Sequence, residues 1–262
     1  IGKQVIKKLK ILNYSFNFCF NAAISNISNM SDDNVTILAP AYNEEKNIPL
    51  FVEHFLSNIP NGWKILIIDD GSEDESKKVL ESLSSQHDCL NFISHDKNLG
   101  LGKALETGFH NIDTKYVVTI DCDLSHKFNV VNELFVNRNK ADVVMASLSH
   151  PGSEASSASK IRVLIAKIGN FILYYMFGSS SKEIAGGPRI YKSSSIKNLK
   201  LKYSGFEAQT EILVRLIQNN FTVSECKLYL YNREYGVSKM PYIKTIIGII
   251  RIYFTIYLAN RN

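Results

Sequence analysis

The chain has 262 residues, 45% of them hydrophobic and 21% charged, with a formal net charge of +5. That length buries a full core in one large domain, and that balance excludes a disordered chain. The small positive excess fits a phosphate ligand, an anionic membrane surface or a plain solvated basic face, and no nucleic-acid partner is expected. Cys19, Cys89, Cys122 and Cys226 are scattered without metal or disulfide spacing, which points to a reducing, cytosolic environment.

Residues 1–30 are rich in Lys and Asn and share little pattern with the rest of the chain. Lys3, Lys7, Lys8 and Lys10 precede a patchy apolar run, faintly like a signal peptide. Asn13, Asn17 and Asn21 interrupt that run, and no small-residue cleavage site is clear. Residues 1–30 are therefore expected to be an extension outside the fold, succeeded by one domain over 31–239 and an apolar helix over 240–262.

From Val35 the pattern alternates. An apolar run, Val35 to Ala39, leads into Pro40-Ala41-Tyr42-Asn43-Glu44, and Ile48, Phe51, Val52, Phe55, Leu56 and Ile59 then recur at helical spacing. A second run, Lys64 to Ile68, leads into Asp69-Asp70-Gly71-Ser72, with a helix marked by Val79, Leu80 and Leu83. A short strand is expected from Leu90 to Ser94, then a helix carrying Leu105, Gly108, Phe109 and Ile112. The run from Tyr116 to Ile120 ends in Asp121-Cys122-Asp123, and a helix near Val130 to Val136 precedes Val143-Val144-Met145-Ala146. Strand–helix alternation predicts right-handed crossovers and a mostly parallel, Rossmann-like α/β sheet flanked by helices.

Beyond this, residues 149–159 read as a surface loop, 160–176 as a helix, and Gly178-Ser179-Ser180-Ser181 as a break. A helix is expected over 206–218, with Glu207, Glu211 and Arg215 on its surface, and a late strand over 222–230. The segment 241–259 is almost wholly Ile, Tyr, Phe and Leu, with Lys244, Gly248, Arg251 and Thr255 in one narrow helical stripe. A packed core helix, a spanning helix and an interfacial helix compete; the interfacial, amphipathic reading is preferred because a Lys and an Arg lie within it.

Three strand-like runs thus end in acidic or polar residues. In an open α/β sheet ligands bind outside the carboxyl ends of the strands, so these ends describe a nucleotide and metal site. Two carboxylates two residues apart, Asp121 and Asp123, suit a hard divalent cation that also holds a diphosphate. Gly100-Leu101-Gly102-Lys103 is neither a Walker loop, which needs Gly at Lys97 and Ser or Thr at Ala104, nor a dinucleotide fingerprint, which needs Gly or Ala at Leu105. Its glycines permit a tight turn into the third helix.

Seven segments in order carry a resemblance: Ala39-Pro40-Ala41-Tyr42-Asn43-Glu44-Glu45, Ile68-Asp69-Asp70-Gly71-Ser72, Asn98-Leu99-Gly100-Leu101-Gly102-Lys103-Ala104, Asp121-Cys122-Asp123-Leu124-Ser125-His126, Gly187-Pro188-Arg189-Ile190-Tyr191, Gly205-Phe206-Glu207, and Asn232-Arg233-Glu234-Tyr235-Gly236-Val237-Ser238-Lys239. The set resembles the family-two glycosyltransferases of GT-A fold, in particular their dolichol-phosphate mannosyltransferase and polyprenyl-phosphate glycosyltransferase branch. The resemblance implies that Pro40, Tyr42, Glu44, Asp69 and Asp70 hold the base and ribose of a nucleotide sugar. It implies that Asp121 and Asp123, with Ser125 at a further ligand position, hold Mg²⁺ or Mn²⁺. The implied acceptor is a polyprenyl phosphate at the cytosolic face of a membrane, which needs no general base because its second pKa is about 6. Asp123 with Arg162, Arg189, Arg233 and Lys239 form the implied catalytic set, since guanidinium forks match phosphate oxygens.

The chain departs from that pattern at Ser125, where Gln is usual, and at Leu148, where Arg is usual. The usual Ser-Gly-Phe-Arg is Gly186-Gly187-Pro188-Arg189 here. His126 reads as a solvated loop histidine, and Glu207 or Glu211 as a base if the acceptor is a hydroxyl. Three functions therefore stand open: hexose transfer to a lipid phosphate, transfer to a glycan or other hydroxyl acceptor, and a non-catalytic nucleotide-binding relative.

Overall fold

A computed structural model describes residues 33–155, 174–175, 187–236 and 241–258. The expected extension over 1–30, most of the helix over 160–176, the break after it, Arg162 and Lys239 all lie outside the described residues.

The strands are β1 (Val35–Ala41), β2 (Lys64–Asp69), β3 (Leu90–Ser94), β4 (Tyr116–Thr119), β5 (Val143–Ser147), β6 (Glu154–Ala155), β7 (Arg189–Lys192), β8 (Val223–Lys227) and β9 (Tyr229–Leu230). The helices are α1 (Asn47–Leu56), α2 (Ser76–Ser84), α3 (Leu101–His110), α4 (Phe128–Val136), α5 (Ser193–Ile196), α6 (Ala208–Gln218) and α7 (Tyr242–Ile252), the last running into a π-helical turn over Tyr253–Leu258. Seven strands form one sheet in the order β3-β2-β1-β4-β7-β5-β8, and β6 and β9 form a small second sheet.

The sheet is parallel apart from β7, which runs antiparallel between β4 and β5. Parallel strands are buried on both faces, and the side-chain alternation shows it. Val35, Ile37 and Ala39 of β1 and Ile65 and Ile67 of β2 pack with α1 and α4 on one face. Leu38, Leu66 and Ile68 pack with α3 and α6 on the other. On the first face Trp63 lies 4.9 Å from Phe135, and Phe51 lies 4.5 Å from Phe55. Each such fully buried ring stabilises the fold by roughly 2–3 kcal/mol through area removed from water.

Register brings the site's strand ends together. Ala41 pairs with Asp69, and Leu38 pairs with Thr119, so β1, β2 and β4 end on one rim. Because β7 is antiparallel, it begins at that rim, with Arg189 opposite both Thr119 and Met145.

One sequence expectation needs correction. The single strand over 222–230 is two strands in different sheets, because the Leu228 backbone turns to Ser153 Oγ and the Glu154 amide. Along the stripe, Lys244, Arg251 and Thr255 are exposed. Gly248 is buried, and a Cβ there would lie 2.7 Å from Glu207 Cγ. The buried side of α7 and its π turn is Thr245, Ile249, Ile252, Ile256 and Tyr257, whereas Ile243, Ile246, Ile247, Ile250 and Phe254 are exposed. Among the described residues no helix is long and apolar enough to cross a membrane.

Candidate active site

Two loops close the rim after β1 and β2, and they are sewn to each other. The Asn43 amide donates to Ser72 Oγ at 2.8 Å, and Asn43 Oδ1 accepts from the Glu73 amide. The Glu44 amide donates to Ser76 Oγ and the Glu45 amide to Asp74 Oδ2. Asn43 is left-handed at φ 51°, a conformation Asn tolerates better than most residues. These bonds fix Tyr42 and Glu44 beside Asp69. Asp69 is buried, and its Oδ1 accepts the Ser72 amide at 3.1 Å.

Asp70 faces the other way. Its Oδ1 accepts His95 Nδ1 at 2.8 Å and the Leu99 amide at 3.0 Å, and its Oδ2 accepts the Gly100 amide at 2.7 Å. Asp70 is therefore spent on holding the turn into α3 rather than pointing out at the rim. Gly71 at φ 68° and Gly100 at φ 95° make this turn possible. A Cβ on Gly71 would lie 2.2 Å from the Lys97 carbonyl carbon, and one on Gly100 2.4 Å from Ser204 O. The tight turn expected from these glycines is what the structure contains.

After β4 the chain enters the Asp121–Ser125 turn. Leu124 stands there at φ 57°, an uncommon conformation for a branched residue and a sign of a constrained turn. Asp123 is buried; its Oδ1 accepts the Ser125 amide at 2.9 Å, and its Oδ2 lies 2.8 Å from Arg233 Nη2. Ser125 O accepts the Tyr231 amide and Asp123 O accepts the Glu234 amide, so the 231–234 segment is laced onto this turn.

Asp121 lies at solvent yet is hemmed in by protein. Dense surroundings, then the charges of Asp123 and Glu44, push its carboxyl group up to about 7, against the pull of Arg233. Asp121 is exposed as a residue, and the neighbouring negative charges of Asp123 and Glu44 disfavour its ionised form. Beside it a pocket is lined by Pro40, Leu101, Leu105, Thr119, Pro188 and Gln209. A second cavity of about 300 Å³, at the end of β3, is lined by Ser94, His95, Asp96, Lys97 and Leu99.

The structure thus brings Pro40, Tyr42, Glu44, Asp69, Asp121, Asp123, Ser125 and Arg233 to one rim. Arg189 reaches the same rim but is buried, its Nη1 donating to Gln209 O at 2.7 Å at the start of α6. Two readings are overturned. His126 is buried rather than solvated, and burial holds its ring well below the usual range, at about 4. Glu211 is fully buried rather than on the helix surface. It accepts the Lys202 and Tyr203 amides and pairs with Arg215 at 2.7 Å, which leaves it no role as a base. Sequence reasoning missed Ser76, Asp74, His95 and Thr107, because single polar residues in loops and helices carry no periodic signal.

Among the described residues no three His, Cys, Asp or Glu side chains converge as a metal cage. The donor set nonetheless fits a divalent cation. Asp121 and Asp123 are hard oxygen donors whose mutual repulsion a cation relieves, and a diphosphate and water complete such a shell.

Residues 36–200 match the family model described as glycosyl transferase family 2. Polyprenol monophosphomannose synthase of Mycolicibacterium smegmatis is 28% identical over 212 residues, covering 78% of this chain and 80% of that protein. UDP-N-acetylglucosamine–dolichyl-phosphate N-acetylglucosaminyltransferase of Methanococcus voltae is 27% identical over 234 residues, covering 80% and 90%. Among solved structures, glucosyl-3-phosphoglycerate synthase from Mycobacterium tuberculosis, in complex with Mn²⁺, UDP and phosphoglyceric acid, superposes with a TM-score of 0.62 at 14% identity, covering 90% of this chain and 81% of that one. This last likeness concerns the fold and agrees with a GT-A architecture. The family match runs from β1 through β7, over more than half of the chain and the whole rim up to Arg189, and the chain accordingly belongs to glycosyl transferase family 2 and is a glycosyltransferase.

Proposed function

We propose that this enzyme moves a hexose, with inversion, from a nucleotide diphosphate sugar to a polyprenyl phosphate at the cytosolic face of a membrane. The observation that carries the reading is the Asp121–Asp123 pair at the end of β4, with Arg233 laced across it. The M. smegmatis and M. voltae relatives are, by name, a polyprenol-phosphate and a dolichyl-phosphate enzyme.

In this reading Pro40, Tyr42, Glu44 and Asp69 line the base and ribose side of the rim. Ionised carboxylates only accept hydrogen bonds, which suits ribose hydroxyls and base N–H groups. Asp70 acts one step back, by fixing the Leu99 and Gly100 amides at the head of α3. Asp121 and Asp123, with Ser125 beside them, would hold Mg²⁺ or Mn²⁺; the M. tuberculosis structure of this fold is a complex with Mn²⁺ and UDP. Bound there, the cation supplies neutralising charge to the departing nucleoside diphosphate.

A phosphate acceptor is already a nucleophile near neutral pH, so positioning cations suffice. Arg233 lies at the rim for that task; Arg162 and Lys239, outside the described residues, complete the proposed phosphate-holding set. Arg189 supports it indirectly by holding the start of α6. The burial of Glu211 removes one of the two candidate bases that a hydroxyl acceptor would have needed.

The membrane assignment draws on α7. Its outward face is Ile243, Ile246, Ile247, Ile250 and Phe254, Lys244 and Arg251 are exposed on the same helix, and 241–258 contains no acidic residue. Such a helix suits the boundary of an anionic bilayer.

The test is a two-phase radiolabel assay with UDP-glucose, GDP-mannose and related donors, polyprenyl phosphate in detergent, and Mn²⁺ present or absent. Cation-dependent label in the lipid phase, absent in Asp123→Ala, is expected. Label passing only to soluble acceptors would select the hydroxyl-acceptor reading, and no release of nucleoside diphosphate at all would contradict both.

A further inference from the structure

We infer that Arg233 is a placeholder on Asp123: in the unloaded enzyme its guanidinium competes with the divalent cation for that carboxylate. The inference rests on the proposed reading of the rim and adds a competition to it.

Asp123 has two oxygens, and both are engaged. Oδ1 takes the Ser125 amide at 2.9 Å, an interaction within the turn itself. Oδ2 takes Arg233 Nη2 at 2.8 Å. The first contact is backbone geometry and stays as long as the turn keeps its shape. The second is a side-chain contact between a carboxylate only 6% exposed and a guanidinium 31% exposed. Arg233 is the more exposed of the two partners.

Charge governs the competition. Asp121 feels the negative charges of Asp123 and Glu44, and Arg233 offsets them there while pairing with Asp123. A carboxylate group of this kind needs one positive neighbour. A guanidinium and a divalent cation drawn to the same carboxylate repel each other, so each weakens the other's hold.

The backbone of this segment does not have to travel. The Tyr231 amide is bonded to Ser125 O, the Glu234 amide to Asp123 O, and Asn47 Nδ2 to Tyr235 O. Tyr231 is also held by Asn129 at 2.8 Å and covered by the Lys127 ammonium at 5.2 Å from its ring centroid. Arg233 thus pivots on a fixed base. Its guanidinium leaves Asp123 Oδ2 for whatever anion lies nearest, which in the loaded enzyme is a phosphate.

The test reads cation affinity without turnover. Mn²⁺ alone is titrated into the nucleotide-free, full-length protein and monitored by the loss of free Mn²⁺ signal in electron paramagnetic resonance. Arg233→Gln is expected to bind Mn²⁺ about three- to tenfold more tightly than wild type, the range set by a half-exposed ion pair at a buried carboxylate. Circular dichroism confirms that the variant is folded; should it not fold, Arg233→Lys is read in its place, with a gain of about twofold expected because the planar fork is lost. Equal or weaker binding by the folded variant overturns the inference. Absence of Mn²⁺ binding by both proteins, with UDP and GDP also present, is a different result: it overturns the cation reading of the rim and the inference with it.

Discussion

His95 Nδ1 lies 2.8 Å from Asp70 Oδ1, and His95 Nε2 lies 2.9 Å from Thr107 Oγ1. In the neutral ring the nitrogen facing the carboxylate carries the proton, and the Thr107 hydroxyl donates to the other. The relay ties the end of β2, the loop after β3 and the middle of α3 into one unit, and Asp70 passes it on to the Leu99 and Gly100 amides. His95 thereby helps to set the shape of the turn at the head of α3.

His95→Ala is expected to lower stability by about 1–3 kcal/mol, because it leaves a buried carboxylate short of a donor. It is also expected to raise the KM for the donor about tenfold with kcat changed less than about twofold. Steady-state kinetics beside thermal melts check this. A loss confined to kcat, proportional to the unfolded fraction, would mean a purely structural role.

Asp121 sits against Asp123 and Glu44, so the rim is electrostatically strained. Asp121→Asn removes a like charge and is expected to raise Tm, by about 2–4 °C for each kcal/mol of repulsion relieved. The same substitution is expected to reduce cation-supported turnover by about two orders of magnitude or more. A melt and a rate assay on one preparation check the pair of effects, a trade common at functional sites.

Much of this rim could be read from the sequence, and the reason is local. The runs ending at Ala39, Ile68 and Ile120 are apolar strands that give way to polar residues, and strand ends of a parallel sheet fall on one side. Side-chain direction was not legible. Asp69 and Asp70 are neighbours in the chain, yet Asp70 turns to His95, a residue 25 positions away. His126 and Glu211 were placed at solvent because their type favours it; the first is buried, and the second is saturated by the Lys202 and Tyr203 amides. β7 enters the sheet antiparallel between β4 and β5, through pairings that no periodicity encodes.

Away from the rim, Asp142 accepts from Lys192 Nζ at 2.8 Å and from the Thr222 amide at 2.9 Å, and these contacts hold its carboxyl group down to about 2. The folded value lies below the ordinary value of 3.8, so the contribution is fully present above about pH 4 and is lost as pH falls through 2. Asp142→Asn is expected to cost about 1 kcal/mol at pH 7, after allowing for the half-open Lys192, and progressively less below about pH 4. Urea melts at pH 7 and pH 3 check the narrowing gap.

The outward face of α7 makes its own prediction. Ile246→Glu and Ile250→Glu alter residues 57% and 44% exposed, so the fold loses little from either. Each is expected to weaken binding to anionic vesicles about tenfold or more, since an apolar contact is lost and a negative charge is added. Vesicle flotation with anionic and zwitterionic lipids checks this; unchanged flotation would contradict a membrane contact through this face.

The most direct measurement is calorimetric titration of UDP and GDP into the full-length protein, with and without Mn²⁺, for wild type and Asp123→Asn. The rim should bind one of the two nucleotides, with affinity at least about tenfold higher when Mn²⁺ is present, and Asp123→Asn should lose that cation-dependent increment. Binding that ignores Mn²⁺ in both proteins, or no binding of either nucleotide, would contradict a nucleotide and cation site built on Asp121 and Asp123.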